Sequence, residues 1–331
     1  MPKAKIGWFI LFAISGVVIV AAPFIGSTAI NISEIFQVDS TANFIFFNLR
    51  LPRVLFAFLA GAALAVAGAV FQALFRNPLA SPFTLGVLAG GSFGATVAII
   101  VFGGSQVLIF SILGLNIVTV FTFAGCLLDV ALVYLIAKMS REFSISRLLL
   151  AGVVLNFFFA SLVQLIVYTS DPSRNFELSR FMLGYLGISG YGALFEVLPL
   201  IILGVFSAFY LTQELNLMQL GEEFASTKGV NTNRVKNISF LTMSLMTASV
   251  IALSGPILFV GLMTPHIVRK FTGSHQFRIT LGSIFVGGIL LVVCDTIARS
   301  VMPVGELPVG VITSILGGPF FLILLITDKR I

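Results

Sequence analysis

Charged side chains are scarce in this sequence, where Asp, Glu, Lys and Arg together make up 10% of 331 residues. A soluble domain carries about 25% charged residues, so this chain has too few to cover a water-facing surface. Apolar residues account for 58% of the chain, and the mean hydropathy is +1.10. The composition excludes an ordinary soluble protein and predicts an all-α integral membrane protein, because helices satisfy their own backbone hydrogen bonds in lipid.

Residues that build disulfides, metal sites and nucleotide sites are also rare. The two cysteines, Cys126 and Cys294, lie within apolar runs and are interpreted as core residues rather than a disulfide. The two histidines, His266 and His275, are too few for a metal cage, so no metal ligands are predicted. The sequence has no G-x-x-x-x-G-K-[ST] phosphate loop. These absences argue against an enzyme and against a cofactor bound by this chain.

Ten segments are apolar enough to be predicted as membrane spans, for which about 20 residues suffice. They lie near residues 6–25, 53–75, 84–103, 115–138, 146–169, 191–211, 237–254, 258–271, 279–301 and 308–327. The first is interpreted as an uncleaved span, because its apolar run exceeds the roughly 7–15 residues of a signal sequence. Ser254, Gly255 and Pro256 interrupt a long apolar run, which fits one kinked span or two short spans.

Lysine and arginine are distributed unevenly between the segments that connect these spans. With a cytoplasmic N-terminus, all but five of the 19 cations lie on the cytoplasmic side, as the positive-inside rule requires. The five exceptions are Arg50, Arg53, Arg174, Arg180 and Arg299. The bias favours an even number of spans, hence two short spans around Gly255, and places both termini in the cytoplasm.

Three of these exceptions form a predicted cluster on the outer face. Arg50 and Arg53 stand at the outer end of the second span, and Arg299 stands at the outer end of the ninth. Arginine binds carboxylates with a planar two-pronged fork, so the cluster suits an acidic partner. The alternative is that these side chains reach lipid headgroups or pair locally, as Arg299 would with Asp295 four residues earlier.

The longest polar run of the chain is GEEFASTKGVNTNRVK, residues 221–236. It falls between the sixth and seventh spans, on the cytoplasmic side by the distribution of cations. Because the chain has no nucleotide motif of its own, we interpret this run as the surface where a soluble partner that supplies energy docks. Arg234 and Lys236 at its end are interpreted as anchors at the membrane interface.

A few polar side chains fall inside the predicted spans. Gln72 in the second span either bonds to a neighbouring helix or lines a path. Asn156 and Gln164 share one face of the fifth span, which indicates a water-accessible conduit or hydrogen bonds between helices. Asp129 is the only carboxylate deep in a span, and a proton-coupled carrier uses a relay of such groups.

Motifs spread along the whole chain resemble those of one family. The second span is flanked by RLPR at residues 50–53 and NPLASP at residues 77–82. Further along, GPILFVGL occupies residues 255–262, DTIAR residues 295–299 and ELPVG residues 306–310. Together these motifs are similar to the FecCD-type permeases that import iron-siderophores, haem and cobalamin.

The resemblance implies a cobalamin-permease-like bundle of about ten helices, the type II ABC importer fold, in a single domain over residues 1–331. It implies the permease subunit of a binding-protein-dependent ABC importer for a metal chelate, in a bacterial or archaeal cytoplasmic membrane. Its partners would be a second permease copy, two cytoplasmic ATPases that hold ATP and Mg, and a periplasmic or lipid-anchored substrate-binding protein, with lipid around it and no nucleic acid. The alternative is a stand-alone secondary transporter of a small solute.

The resemblance also implies roles for individual residues. Acidic residues of the binding protein would dock on Arg50, Arg53 and Arg299. The segment 221–230 would be the coupling helix that contacts the ATPase, through Gly221, Glu222, Glu223, Ala225, Ser226, Lys228 and Gly229. The translocation path and gate would include Gln72, Ser144, Ile145, Ser146, Asn156 and Gln164.

Three positions depart from the family pattern. Lys228 stands where the coupling segment usually carries leucine before glycine and valine, which bears on the ATPase contact. Ile145 replaces a small hydroxyl residue at the inner gate, and Phe181 replaces the usual tryptophan after the fifth span. The last two bear on the path and therefore on the chelate, which the sequence does not identify.

Overall fold

The computed structural model describes residues 2–28, 30–37, 40–102, 116–139, 145–302 and 305–327, and the regular secondary structure of these ranges is helical. The helices that match predicted spans are α1 (Pro2–Ala21), α3 (Leu51–Phe75), α4 (Val87–Phe102), α5 (Ile117–Lys138), α6 (Ile145–Thr169), α8 (Gly192–Tyr210), α11 (Thr232–Ser254), α12 (Val260–Thr272), α13 (Gln276–Ala298) and α14 (Val309–Thr327). The shorter helices are α2 (Thr41–Phe44), α7 (Pro172–Met182), α9 (Thr212–Gln219) and α10 (Glu222–Thr227).

These helices confirm the predicted all-α membrane bundle, since each predicted span coincides with one of them. Seven helical stretches of the described residues are long and apolar enough to cross a membrane by themselves. The helix Val87–Phe102 is apolar but shorter, and α12 has only 13 residues. A π-helical turn, Ile45–Arg50, joins α2 to α3 without a break.

The centre of the bundle is α3, in which every residue from Ala60 to Phe75 is buried. Small residues allow α12 and α13 to approach it closely. A Cβ on Gly61 would overlap the carbonyl oxygen of Gly287 on α13, and a Cβ on Gly68 would overlap that of Gly261 on α12. The glycines of the second span therefore serve tight helix packing.

The interruption at Gly255 separates α11 from α12, so the prediction of two helices rather than one kinked helix is confirmed, although α11, with 23 residues, is not short. Gly255 has φ +65°, and a Cβ there would overlap the carbonyl oxygen of Phe181. The backbone N–H of Tyr185 donates to the carbonyl of Ser254 at 2.8 Å, which satisfies one group at the open end of α11. Because Gly261 lies beside the middle of α3, α12 begins within the bundle rather than at its surface.

Candidate functional site

A cavity of about 320 Å³ lies where α3 begins and α13 ends, and we call it the arginine recess. Its lining includes Arg50, Arg53, Arg299, Tyr185 and Glu306. The fold thus brings together the three arginines of the predicted docking cluster. All three are buried, however, with exposures of 7%, 7% and 3% in chain order, so they do not project from an open face.

Arg53 is held by two carboxylates that are distant in sequence. Its Nε and Nη2 donate to Oδ1 of Asp295 at 2.9 and 2.8 Å, and its Nη1 donates to Oε2 of Glu306 at 2.7 Å. Asp295 is fully buried at the end of α13. Such forked, charge-assisted bonds are among the strongest that proteins form, and they fix the guanidinium in one orientation.

Arg50 and Arg299 bind the backbone of the segment that follows α1. Arg50 donates to the carbonyl oxygens of Pro23 at 3.2 Å and Thr28 at 2.5 Å. Arg299 donates through Nη2 to the carbonyl of Ala22 at 2.5 Å. Carbonyl partners satisfy donors without neutralising charge, so both arginines keep their positive charge at the wall of the recess.

Arg299 also has unused hydrogen-bonding capacity. Its Nε and Nη1 are buried and have no hydrogen-bond partner among the described residues, although Nε lies 4.0 Å from Oδ2 of Asp295. A buried donor without a partner is costly, and more so on a charged group. A carboxylate oxygen in the recess would satisfy these donors only if the guanidinium turned, because neither atom is exposed to the recess.

Glu306 and Tyr185, which sequence reasoning did not single out, complete the recess. The hydroxyl of Tyr185 donates to Oε2 of Glu306 at 3.1 Å, and the guanidinium of Arg180 stacks 3.7 Å from the centre of the Tyr185 ring. Burial alone would raise the pKa of Glu306, but Arg53 and Tyr185 outweigh burial and hold that pKa below its ordinary value. The recess therefore contains more positive than negative charge.

The predicted coupling segment, residues 221–230, folds as the short helix α10 between two glycines with positive φ. Gly221 has φ +132° and Gly229 has φ +83°, values that glycine adopts without the steric cost of a Cβ. Ala225 is buried, while Glu223, Ser226 and Lys228 are exposed. The segment thus presents one polar face outward and anchors the other on the bundle.

Glu222 is not free on that polar face, because its carboxylate forms an ion pair with Lys236 on α11. The interpretation of Lys236 as an interface anchor is wrong, since its side chain is only 4% exposed and lies inside the bundle. Arg234 is exposed, as an anchor requires. The ion pair connects α10 to α11 across 14 residues of sequence.

Two of the predicted path residues, Gln72 and Asn156, lie near Leu262 at the beginning of α12. The side-chain amide of Gln72 donates to the carbonyl of Leu262 at 3.2 Å. Its nitrogen therefore forms a hydrogen bond between α3 and α12, which is one of the two roles predicted for this residue. Leu262 also lines a cavity of about 370 Å³, together with Asn156 of α6. We call this space the central cavity. Asn156 donates to the carbonyl of Phe83 at 3.3 Å.

The remaining path residues lie elsewhere. Gln164 is exposed two turns further along α6, and Ser146 is exposed near its beginning. Ser144 lies outside the described residues, and Ile145 is described only as the first residue of α6. Of these four residues, Gln164 and Ser146 are therefore not brought to the central cavity.

Phe259 is a feature of the central cavity that the sequence did not reveal. It precedes α12 with φ +66°, a conformation that is uncommon for a bulky residue. Its ring lies against Gly317 of α14, where a Cβ would overlap it, and lines the cavity as well. Such a conformation costs about 1–3 kcal/mol and persists only where the surrounding structure fixes it.

Comparison with known proteins identifies the family. The model of the FecCD transport family matches residues 12–327. A protein of Methanocaldococcus jannaschii named as an ABC transporter permease is 38% identical over 288 residues, covering 86% of this chain and 82% of the relative. The hemin transport system permease protein of Yersinia pestis is 36% identical over 293 residues, covering 86% and 84%.

A solved structure extends this likeness to three dimensions. It is described as an inward-facing conformation of a metal-chelate type ABC transporter, and it matches with a TM-score of 0.84 and 28% sequence identity. The match covers 99% of this chain and 100% of the other. The family match includes the helices that form the arginine recess, α10 and the central cavity. The chain belongs to the FecCD transport family.

Proposed function

We propose that the chain is the permease subunit of an ABC importer that moves a metal chelate, such as an iron-siderophore or haem, into the cytoplasm. The observation that carries the proposal is the near-complete structural match to a metal-chelate type ABC transporter. The permease of Yersinia pestis named for hemin supports the same substrate class. ATP and Mg are held by separate ATPase subunits, and this chain supplies the path and the docking surfaces.

The arginine recess docks the substrate-binding protein, which inserts an acidic side chain into it. The unpaired Nε and Nη1 of Arg299 and the excess of positive charge support this role. A carboxylate bound there pairs with charges that are largely shielded from water, so its contribution to affinity is larger than that of an exposed ion pair. In the membrane, the recess faces the periplasm and α10 faces the cytoplasm, with both termini on the side of α10.

The coupling segment transmits the motion of the ATPase to the helices around the path. Its exposed residues Glu223, Ser226 and Lys228 contact the ATPase, and the pair of Glu222 with Lys236 connects α10 to α11. α11 in turn leads through Gly255 to α12, which borders the central cavity. A movement of α10 therefore has a continuous route of packed residues to the path.

The central cavity forms one half of the translocation path, and a second permease copy supplies the other half. The cavity opens on a side where α6 carries large exposed apolar residues, with Phe157 73% and Leu150 66% exposed. Apolar side chains on such a face suit either lipid or a second copy. The bulky chelates of this substrate class need a path wider than one subunit's cavity of about 370 Å³.

Uptake into proteoliposomes tests the proposed function. The chain is reconstituted with its ATPase and binding protein, and haem, an iron(III)-siderophore and cobalamin are offered in turn. We expect uptake of at least one chelate, and only when ATP, the ATPase and the binding protein are all present. Uptake that continues without the ATPase would instead show a stand-alone secondary transporter.

A further inference from the structure

An apolar groove of about 700 Å³ runs between α1 and α12, over the first turns of α13. We call it the α1–α12 groove. It lies away from the arginine recess, the central cavity and α10, and it shares none of their lining residues. Its principal lining residues are Trp8, Leu11, Ile14, Ile267, Phe271 and Gly282.

The groove exists because α1 and α12 both pack on α13 and leave a gap between them. Phe12 of α1 meets Phe285 of α13 edge to face, with ring centres 4.5 Å apart. On the other wall, Val268 of α12 lies so close to Gly282 that a Cβ on that glycine would be 2.5 Å from Val268 Cγ1. Both walls therefore pack on the same helix, and the groove is the concavity between them.

One end of the groove carries a positive charge, the guanidinium of Arg278. Arg278, in the first turn of α13, is exposed and lines the groove, and its Nη1 lies 3.5 Å from the carbonyl of Thr272. Within the part of the chain that the structure describes, Arg278 takes part in no ion pair. The sequences of α1 and α12 contain no Asp or Glu, and the only one on α13 is Asp295, about 25 Å along the helix. Among the described residues, the cation at the groove end thus has no carboxylate partner.

The dimensions of the groove match one leaflet of a membrane. Along α13, the distance from Arg278 to Val286 is about 12 Å, at 1.5 Å per residue. Half of the hydrocarbon core of a bilayer is about 15 Å thick. A molecule with a charged head at Arg278 therefore has its apolar part along Gly282 and Val286, at the depth of the acyl chains.

We propose that the α1–α12 groove binds one anionic phospholipid, with the phosphate on Arg278 and an acyl chain between α1 and α12. Basic pockets between membrane helices select headgroups of this charge, because the amine of a zwitterionic headgroup offsets its phosphate. Trp8 on the α1 wall has the apolar body and polar edge that favour the membrane interface. The groove lies in the cytoplasmic leaflet if the orientation given under the proposed function is right. The binding of the lipid itself does not rest on the proposed function.

Fluorescence of Trp8, which is the single tryptophan of the chain, tests the proposal. The full chain is placed in phosphatidylcholine nanodiscs for two titrations. One adds increasing fractions of phosphatidylglycerol brominated on its acyl chains, and the other adds phosphatidylcholine brominated in the same way. We expect brominated phosphatidylglycerol to quench Trp8 at an about fivefold lower mole fraction, the preference that one basic residue at the surface provides. Equal quenching by the two lipids would mean that the groove holds bulk lipid and would overturn the proposal.

Substitutions inside and outside the groove test where the anionic lipid binds. Arg278→Gln should remove the preference for the anionic lipid, whereas Arg234→Gln, which changes an exposed arginine outside the groove, should keep it. Gly7 lines the groove, and no atom lies within 4 Å of a Cβ built on it, so a leucine fits there without a clash. Gly7→Leu should therefore fill part of the groove and weaken quenching by the anionic lipid. A preference that persists in Arg278→Gln would overturn the proposal. The assay needs neither ATPase nor binding protein, so its failure leaves the proposed importer function untouched.

Discussion

The arginine recess and the coupling segment are both charged surfaces that the sequence marks for a partner, yet their charges are held differently. In the recess, Arg53 is locked between Asp295 and Glu306, and Arg299 is 3% exposed. In the coupling segment, the side chain of Glu222 is 40% exposed although it pairs with Lys236, and Glu223 is exposed. Charge in the recess is therefore part of the fold, whereas charge on α10 lies at the surface.

Because of this difference, losing a charge costs more stability in the recess than on the exposed face of α10. Removing one partner of a buried ion pair costs about 3–5 kcal/mol, because the other charge is left uncompensated. Changing an exposed charge usually shifts stability by no more than about 0.5 kcal/mol. A substitution in the recess thus affects folding and docking together, while a substitution at Glu223, which is exposed and forms no ion pair among the described residues, affects the contact alone.

Asp295→Asn gives the largest effect that this comparison predicts. It removes the buried carboxylate that both Nε and Nη2 of Arg53 contact, so the free energy of unfolding should fall by about 3–5 kcal/mol. Thermal unfolding of the purified chain in one detergent measures the change. Glu223→Gln on α10 is the control and should melt with the wild type. Equal melting of all three proteins would contradict the distinction between the two regions.

Arg299→Gln tests the docking role with less damage to the fold than Asp295→Asn, because Arg299 donates its short hydrogen bond to the carbonyl of Ala22 and its Nε lies as far as 4.0 Å from the Asp295 carboxylate. Loss of its charged, unpaired donors should weaken binding of the substrate-binding protein at least about 30-fold. The dissociation constant, measured at low and physiological salt, checks this. Arg174→Gln, at an exposed arginine that does not line the recess, should bind as the wild type does. Unchanged affinity in Arg299→Gln would remove the recess as the docking site.

Glu222→Gln and Lys236→Met test whether the ion pair between α10 and α11 transmits motion. Each variant alone should lower the amount of chelate transported per ATP about fivefold, since the connection fails when either partner is lost. The double variant should then be no worse than the single ones. Uptake and ATP hydrolysis in the same proteoliposomes provide the ratio. Effects that multiply in the double variant would mean that the two residues act separately.

Much of the fold was predictable because membrane helices leave a strong local signal. Long apolar runs gave the spans, and the distribution of cations together with Ser254, Gly255 and Pro256 gave the break between α11 and α12. The depth at which α12 begins was not predictable, because it depends on the close approach of Gly261 to Gly68. No local pattern indicates which glycines of two helices will meet.

The composition of the site was predictable only in part. Rules for neighbouring residues on a helix pair Asp295 with Arg299, whose Nε is 4.0 Å away, but the forked bonds of Asp295 go to Arg53, which lies 242 residues away in sequence. Glu306 and Tyr185 belong to segments with no charge pattern of their own. The sequence grouped Arg50, Arg53 and Arg299 as a predicted cluster, and only the fold showed what holds them. Their docking role, like the contacts of α10, stays a prediction.

The smallest effect concerns the pH dependence of the recess. Burial tends to raise the pKa of Glu306, but Arg53 and Tyr185 hold it below its ordinary value. A carboxyl group whose pKa is depressed by folding stabilises the fold fully above its unfolded pKa of about 4.3, and this contribution is lost as the pH falls through the lower, folded pKa. The difference in melting temperature between the wild type and Glu306→Gln should therefore be constant from about pH 8 to 5.5 and shrink only below about pH 4.3. A difference that already shrinks near neutral pH would mean that Arg53 does not hold Glu306 ionised, and that the recess is as loosely built as α10.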